Sequence, residues 1–368
     1  LWIIDGYTTS AGYPNSRVVN LANTGDALTS RSNAVASLDD KNVNYIRNSV
    51  KATVDAYDGT VSLYQWDEKD PVLATWSKAF PGTVKPKSEI SPALLAHVRY
   101  PEDMFRVQRD ILSAYHVTTA DAFYGGQDFW RVPLDPSSFG SNSGNQPPYY
   151  LTMQIPGQTK PTFSLYTPFV PRGGRENLTA LAVVNSDAGD EYGKITVLQL
   201  PRSTNIAGPS QVSSNFEAKP EVATSLSLLR QGGSDVVLGN LLTLPVGKGL
   251  LYVQPVYVRA TGNTAAYPLL QKVLVSFGDQ IGFSETLQGA LDQVFGGNSG
   301  TTVSDNQSNT PINGGTGSSQ AIRSAIASLQ SAYADLEAAQ KRLDGAAEDK
   351  ARARVKAAIA ALISAQNR

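Results

Sequence analysis

The chain has 368 residues, 41% of them hydrophobic, with 31 basic residues against 32 acidic ones. That length supports a sizeable buried core and, as a prior, more than one domain. A formal charge of −1 gives no general attraction toward nucleic acid or an anionic surface, so no nucleic-acid partner is expected. Cysteine is absent, which excludes disulfides, thiolate metal sites and a cysteine nucleophile. His97 and His116 are the only histidines, too few for a histidine-rich metal centre. No apolar run approaches the roughly 18 residues that span a bilayer.

The opening Leu1-Trp2-Ile3-Ile4 reads as an apolar strand already under way, which points to a fragment of a longer protein. Residues 42–66 read as a β-hairpin about Asp58-Gly59, a type I′ turn signal. Counting outward pairs Ala56 with Val61 and Val54 with Leu63 on an apolar face, and Asp55 with Ser62 and Thr53 with Tyr64 on a polar one. A helix over Pro71–Phe80 follows an acidic lead-in at Asp67, Glu68 and Asp70, and Pro81-Gly82 stops it. Pro101 fits the first position of a second helix, with Glu102 and Asp103 at its positive end. There Met104, Val107, Ile111, Leu112 and Tyr115 recur at helical spacing and are expected to face the core. Thr118 and Asp121 resemble a capping box for a short third helix.

A long loop is expected at 134–148, rich in Pro, Ser, Gly and Asn. Beyond it the alternation of Tyr149, Leu151, Met153 and Ile155 starts a run of strands at 162–170, 177–185, 194–200, 235–244, 249–259 and 270–277. Helices are expected at 219–231 and 284–295. Long strands with short turns predict an α+β fold: a mostly antiparallel sheet with peripheral helices. The organisation expected is an α+β part over 1–147, a mainly antiparallel β part over 148–295, a flexible linker over 296–318 and a helical hairpin over 319–368. Eighteen of the 23 linker residues are Gly, Ser, Asn or Thr, leaving almost nothing to bury. The tail has a heptad seam at Ile322, Ile326, Leu329, Tyr333, Leu336 and Leu343, and a fresh seam at Val355, Ile359 and Leu362. That phase break beside Asp344-Gly345 favours two helices over one rod, and so small a unit is expected to dock on something.

No G-x-S-x-G elbow, S-x-x-K, H-E-x-x-H, P-loop or complete EF-hand loop occurs. No catalytic, cofactor-binding or metal-ligating residue is assigned, and no cofactor is expected. His97, in an apolar stretch, and His116, at a helix end, read as core or capping residues. The loop 185–191 (Asn-Ser-Asp-Ala-Gly-Asp-Glu) could offer oxygens to calcium, but it reads first as a polar turn. Asp55 and Asp58 are explained by the hairpin rather than by a glycosidase pair. The aromatic cluster at 122–131, with Phe123, Tyr124, Phe129 and Trp130 beside Arg131, reads as core ahead of a ligand groove. The loop Arg172-Gly173-Gly174-Arg175-Glu176 could accept an anion, although such loops are usually only solvated. The sequon Asn177-Leu178-Thr179 opens an expected strand and carries little weight.

Longer runs carry a resemblance. Trp2-Ile3-Ile4-Asp5-Gly6-Tyr7-Thr8-Thr9-Ser10 and the stretch 44–59 closely resemble a bacterial family of unknown function, uncharacterised protein family one-eight-two. Phe80-Pro81-Gly82, Arg99-Tyr100-Pro101-Glu102-Asp103, Gln127-Asp128-Phe129-Trp130, Pro168-Phe169-Val170-Pro171 and Leu229-Arg230-Gln231-Gly232-Gly233 extend the likeness over nearly all of 1–296. Members look like large membrane proteins, with transmembrane helices first and a big extracytoplasmic part after them. The resemblance implies that this chain is a later, extracytoplasmic portion, attached to its own N-terminal transmembrane region at the cell membrane. It assigns no ligand or catalytic residue.

Three functional readings follow. The leading one is a non-catalytic extracytoplasmic domain serving binding or assembly at the cell envelope, with 319–368 as a partner-binding or self-associating element. The second is a hydrolase acting on an envelope polymer or lipid, which requires two carboxylates converging in a pocket. The third is a ligand sensor or carrier, which requires an apolar cavity.

Overall fold

A computed structural model describes residues 1–26, 40–137, 144–201, 203–231, 233–261, 267–297, 331, 335 and 350–357. The chain divides into a unit over Leu1–Thr301 and a second over Thr302–Arg368. The fold is α+β with mostly antiparallel sheets, as the strand pattern predicts.

In chain order the strands are β1 (Trp2–Ser10), β2 (Val19–Asn20), β3 (Asn42–Val43), β4 (Tyr45–Val54), β5 (Val61–Gln65), β6 (Val84–Lys85), β7 (Trp130–Arg131) and β8 (Tyr149–Met153). They continue with β9 (Thr162–Pro171), β10 (Ala180–Asn185), β11 (Ile195–Gln199), β12 (Ser234–Leu238), β13 (Leu242–Val246), β14 (Gly249–Ala260), β15 (Leu269–Phe277) and β16 (Gln280–Ser284). The helices are α1 (Pro71–Ala79), α2 (Pro92–Leu95), α3 (Glu102–Tyr115), α4 (Ala120–Gly125), α5 (Pro209–Ala218), α6 (Pro220–Leu229) and α7 (Leu287–Phe295). One sheet runs β1-β4-β5-β6, a second β11-β10-β9-β7 with β8 also on β9, and a third β12-β14-β15-β16 with β13 also on β14. Only β5 and β6 pair in parallel within these sheets.

The second sheet is buried on both faces, and β10 shows why its sequence reads as a continuous apolar run. Leu181 and Val183 face a core with Phe216 of α5, Leu226 of α6 and Val256 and Leu274 of the third sheet. Ala180, Ala182 and Val184 face the opposite core, where their small side chains admit Phe105 of α3 and Trp130. The third sheet turns Val273 and Val275 toward Ala290, Leu291 and Val294 of α7.

The hairpin forms with a different register. Val54 pairs with Val61, Thr53 with Ser62 and Ala52 with Leu63, two residues away from the two-residue-turn alignment. The reason is in the turn: Asp55 N bonds Thr60 O at 3.0 Å and Gly59 N bonds Asp55 O at 3.1 Å. Only Gly59 adopts positive φ (74°); Asp58 does not, so no type I′ turn forms and residues 56–59 make a four-residue loop. A shift of two keeps each residue on its face. Yet the buried face is the polar one, with Ser49, Lys51 and Thr53, while Trp2, Ile4 and Val61 on the apolar face are exposed.

Other differences have local causes. The stretch 235–244 divides into β12 and β13, because the chain leaves the sheet between Leu238 and Leu242. The helix at 219–231 is preceded by a second helix, α5, joined through Lys219-Pro220, where proline starts a new helix and stops the old one. Thr119 rather than Thr118 is the N-cap of α4, and its side chain makes no capping bond. In α3, Met104 and Val107 are buried as expected, but Tyr115 is exposed and Phe105 is the fully buried aromatic. His97 is exposed beyond α2 instead of core, while His116 does end α3.

The linker 296–318 beyond Gly297, and most of the expected hairpin 319–368, lie outside the described residues. In the second unit Ser331, Asp335 and 350–357 are helical, and Arg354 pairs with Asp335. No helix among the described residues is long and apolar enough to cross a membrane.

Candidate functional site: an arginine- and aromatic-lined cleft

Helix α3 carries an acidic first turn and two arginines three residues apart, Arg106 and Arg109, both almost fully buried. Arg106 collects three carboxylates. Its Nε donates to Asp26 Oδ2 at 2.6 Å, its Nη1 to Asp103 Oδ1 at 2.8 Å, and its Nη2 to Glu102. Burial raises the pKa of Glu102 and Asp103 above the usual carboxylate range, against the opposing pull of Arg106. These carboxylates do converge, but on one guanidinium, and none of the three lines the cleft.

Arg109 is different. Its Nη1 donates to Gln146 O at 2.9 Å and to Thr167 Oγ1 at 3.4 Å, and its buried Nη2 makes no hydrogen bond but forms an ion pair with Asp26 Oδ2 at 3.5 Å. Desolvation lowers its pKa to about 10, so it remains a cation at neutral pH.

Arg109 lies in the wall of a cleft of about 1320 Å³ built from the C-terminal half of α3, the segment 117–124 and the β7 region. One side is a continuous ladder of rings with a cation at each end. Arg17 lies 6.0 Å from the Tyr115 ring centre. Tyr115 meets Phe123 at 5.2 Å, and Phe123 meets Phe129 edge-on at 5.3 Å. Arg172 closes the series 5.9 Å from the Phe129 ring centre. Tyr124, 96% exposed, also lines the cleft. Behind the ladder the His116 ring stacks on Trp130 at 3.4 Å, and its two nitrogens face Leu112 O and Asp128 O at 2.9 and 3.0 Å. His116 therefore ties the end of α3 to the segment leading into β7.

The cleft is one-sided in charge. Arg17, Arg106, Arg109, Arg131 and Arg172 line it, and Asp110 is its one carboxylate among the described residues. Asp110 is held by Arg17 at 3.4 Å, and Arg131 is held by Glu176. Arg172 has no carboxylate partner among the described residues and is exposed.

The aromatic cluster 122–131 and the Arg172 loop, two separate features of the sequence, thus meet in one place. Pairing of Trp130 with Pro171 and a bond from Arg172 N to Phe129 O at 2.7 Å bring them together. Arg175 and the sequon residues Asn177 and Thr179 line an adjoining groove of about 630 Å³ that shares Phe129 and Trp130 with the cleft. Arg106 and Arg109 escape the sequence reading because arginines spaced three apart on a helix look like a solvated face, and Arg17 because it stands in an irregular stretch between β1 and β2. The available signal is that Arg106 and Arg109 interleave with Met104, Phe105 and Val107.

The other candidates have structural duties. Asp55 and Asp58 accept bonds from Tyr57 N and Thr60 N, each at 2.8 Å, within the hairpin loop. In the 185–191 loop, Asn185 Oδ1 accepts from Asp187 N at 2.9 Å and Asp187 Oδ2 from Phe163 N at 3.0 Å. No group of three or more acidic or histidine side chains among the described residues is arranged to hold a metal ion.

Comparison with known proteins places the chain. Residues 1–229 match the family described as Uncharacterised protein family (UPF0182). The chain belongs to the UPF0182 family. A UPF0182 protein of Leifsonia xyli subsp. xyli is 48% identical over 413 residues, covering 100% of this chain and 41% of that protein. One of Thermobifida fusca is 57% identical over 299 residues, covering 81% of this chain and 29% of its own length. One of Bifidobacterium longum is 52% identical over 317 residues, with 83% and 30% covered. The chain therefore spans about two fifths or less of these UPF0182 relatives. No solved structure matches it.

Proposed function

We propose that this chain is a non-catalytic binding domain of a larger bacterial membrane protein, facing the extracytoplasmic side and serving binding or assembly at the cell envelope. The observation that carries the binding reading is the cleft, where an aromatic wall is flanked at its two ends by Arg17 and Arg172, the latter without a carboxylate partner among the described residues. Its one carboxylate among the described residues is engaged by Arg17, so the described lining offers recognition groups rather than an acid–base pair. The envelope hydrolase reading needs two carboxylates in the cleft, and those that converge are spent on Arg106. Support for the membrane setting comes from the resemblance of the 1–296 segments to proteins with transmembrane helices first. The tail 319–368, with eight basic and five acidic residues, is the proposed element for a protein partner or self-association.

Two experiments test these parts separately. Native mass spectrometry of the gently purified protein is expected to show a bound small molecule, and ligand-free protein under every extraction condition overturns the binding reading. The absence of cysteine from this chain permits Tyr57→Cys at the fully exposed hairpin tip. In the full-length protein on intact cells, a membrane-impermeant maleimide is expected to label that variant beyond the unsubstituted background. Labelling only after lysis overturns the extracytoplasmic reading.

A further inference from the structure

We propose that a trough between the free edge of β4 and the side of α3 takes up an extended, uncharged peptide as an added β-strand. The trough stands apart from the cleft: the two linings share only Arg17 and draw on different residues of α3.

β4 is incompletely paired. It runs over Tyr45–Val54, and β1 pairs with it from end to end. β5 covers its other edge only from Val50 to Val54. There β5 leaves the sheet: Trp66 N and Asp67 N both bond Ser49 O, at 2.8 and 3.3 Å, and the chain turns off into the lead-in of α1. Tyr45–Asn48 therefore keeps one edge without a strand, and outside the sheet its backbone bonds no other backbone among the described residues. Backbone N–H and C=O groups seek partners, and an unpaired edge is a template for another extended segment.

A trough of about 720 Å³ lies along that edge. Tyr45–Asn48 and the departing segment 66–69 form one wall, and Met104, Val107, Gln108 and Ile111 of α3 form the other. Met104, Val107 and Ile111 recur at helical spacing and make the helix wall apolar, which suits the alternate side chains that an added strand turns toward it. Asn48 brings a buried Oδ1 to which no group among the described residues donates. Tyr13, stacked on Tyr45 at 5.7 Å, bounds one end, and Trp66 against Tyr192 at 5.0 Å bounds the other. Four strand residues span about 13 Å, and α3 covers about 10 Å from Met104 to Ile111, so the walls match in length.

Size and charge select the occupant. Two folded copies in a stable dimer bury about 800 Å² each. A trough four residues long falls short of that, whereas a linear segment fits it. Among the lining charges Arg47 pairs with Asp67 at 3.1 Å and Arg17 with Asp110 at 3.4 Å. Glu68 and Lys69 are neighbours of opposite sign, so the trough favours neither an acidic nor a basic segment.

The test is selection on the full chain from a library of acetylated hexapeptide amides randomised over Val, Ile, Thr, Ser and Gly. The strongest binder is then titrated by fluorescence anisotropy. Saturable binding is expected, with N-methylation abolishing it at one alternate set of amides and tolerated at the other, because only one edge of the added strand faces β4. Ile111→Ala trims a half-buried wall residue and is expected to weaken binding roughly tenfold. Tyr124→Ser, in the cleft, is expected to leave peptide affinity unchanged.

No saturable binding from the library overturns the proposal. So does a binder indifferent to N-methylation at every position, which would dock by side chains alone. Loss in Tyr124→Ser with none in Ile111→Ala would move the peptide to the cleft and overturn the trough while the binding reading above stands. A dimer in sedimentation that Ile111→Ala dissociates would give the trough to a second copy and equally overturn it.

Discussion

Lys51 and Asp5 sit directly opposite each other on β4 and β1 and form an ion pair on the face of the first sheet that the protein buries. Lys51 Nζ also donates to Tyr192 Oη at 3.1 Å and lies 5.2 Å from the Trp66 ring centre. Desolvation lowers the lysine pKa, and the Asp5 carboxylate opposes that shift. The pair explains why the polar side of the hairpin faces inward: its charges are met by residues from distant parts of the chain.

Removing one partner strands the other. Lys51→Met is expected to cost about 3 kcal/mol, because Asp5 loses its counter-charge in a poorly solvated site. The double variant Asp5→Leu/Lys51→Met is expected to recover most of that loss. Urea unfolding of the four members of the cycle measures the coupling, and strictly additive costs contradict the account.

Asp70 gives a pH dependence. Its carboxylate caps α1 through Val72 N and Leu73 N at 3.0 and 3.1 Å, and accepts from Thr8 and Ser49 hydroxyls at 2.6 Å and from Tyr45 at 2.5 Å. Burial acts to raise its pKa, but those donors prevail and bring it from 3.8 to about 2. The folded value lies below the unfolded one, so the stabilisation is present above pH 3.8 and is lost as pH falls toward 2. About 2–3 kcal/mol is at stake. In Asp70→Asn the acid limb of a stability–pH curve is expected to flatten, and an unchanged limb contradicts the assignment.

The exposed apolar side of the first sheet makes the opposite prediction. Val61 is 59% exposed, so Val61→Thr is expected to change stability by no more than about 0.5 kcal/mol. A thermal-melt loss several times larger would restore the apolar face as the buried one.

Gly282 tests the packing of α7. A Cβ there would lie 2.0 Å from Ala290 O, a backbone atom of the helix, so the helix must move. Gly282→Ala is expected to cost about 2–3 kcal/mol in urea unfolding. A neutral effect contradicts the close approach of β16 and α7.

The legible parts of the sequence are those whose rules are local. Alternation at Tyr149–Met153, the Pro71 start of α1 and the apolar run of β10 need only near neighbours to be read. The hairpin exposes the limit of such rules: Asp58-Gly59 locates the turn, but its backbone bonds choose a four-residue loop and shift the register. Which face is buried depends on Tyr192, 141 residues from Lys51 in sequence. The candidate site was half visible. Phe123, Phe129 and Arg172 draw attention as separate clusters, but nothing local joins them, and Arg109 becomes a wall residue only when Gln146 and Asp26 close around it.

Hydrogen–deuterium exchange of the protein as gently purified, and again after its bound small molecule is stripped, tests most directly whether the cleft is the binding site. The account predicts slowed exchange in the second half of α3 and in 117–131, with the β12–β16 sheet unchanged. Protection by the bound molecule confined to that sheet, or absent from the cleft, would contradict it.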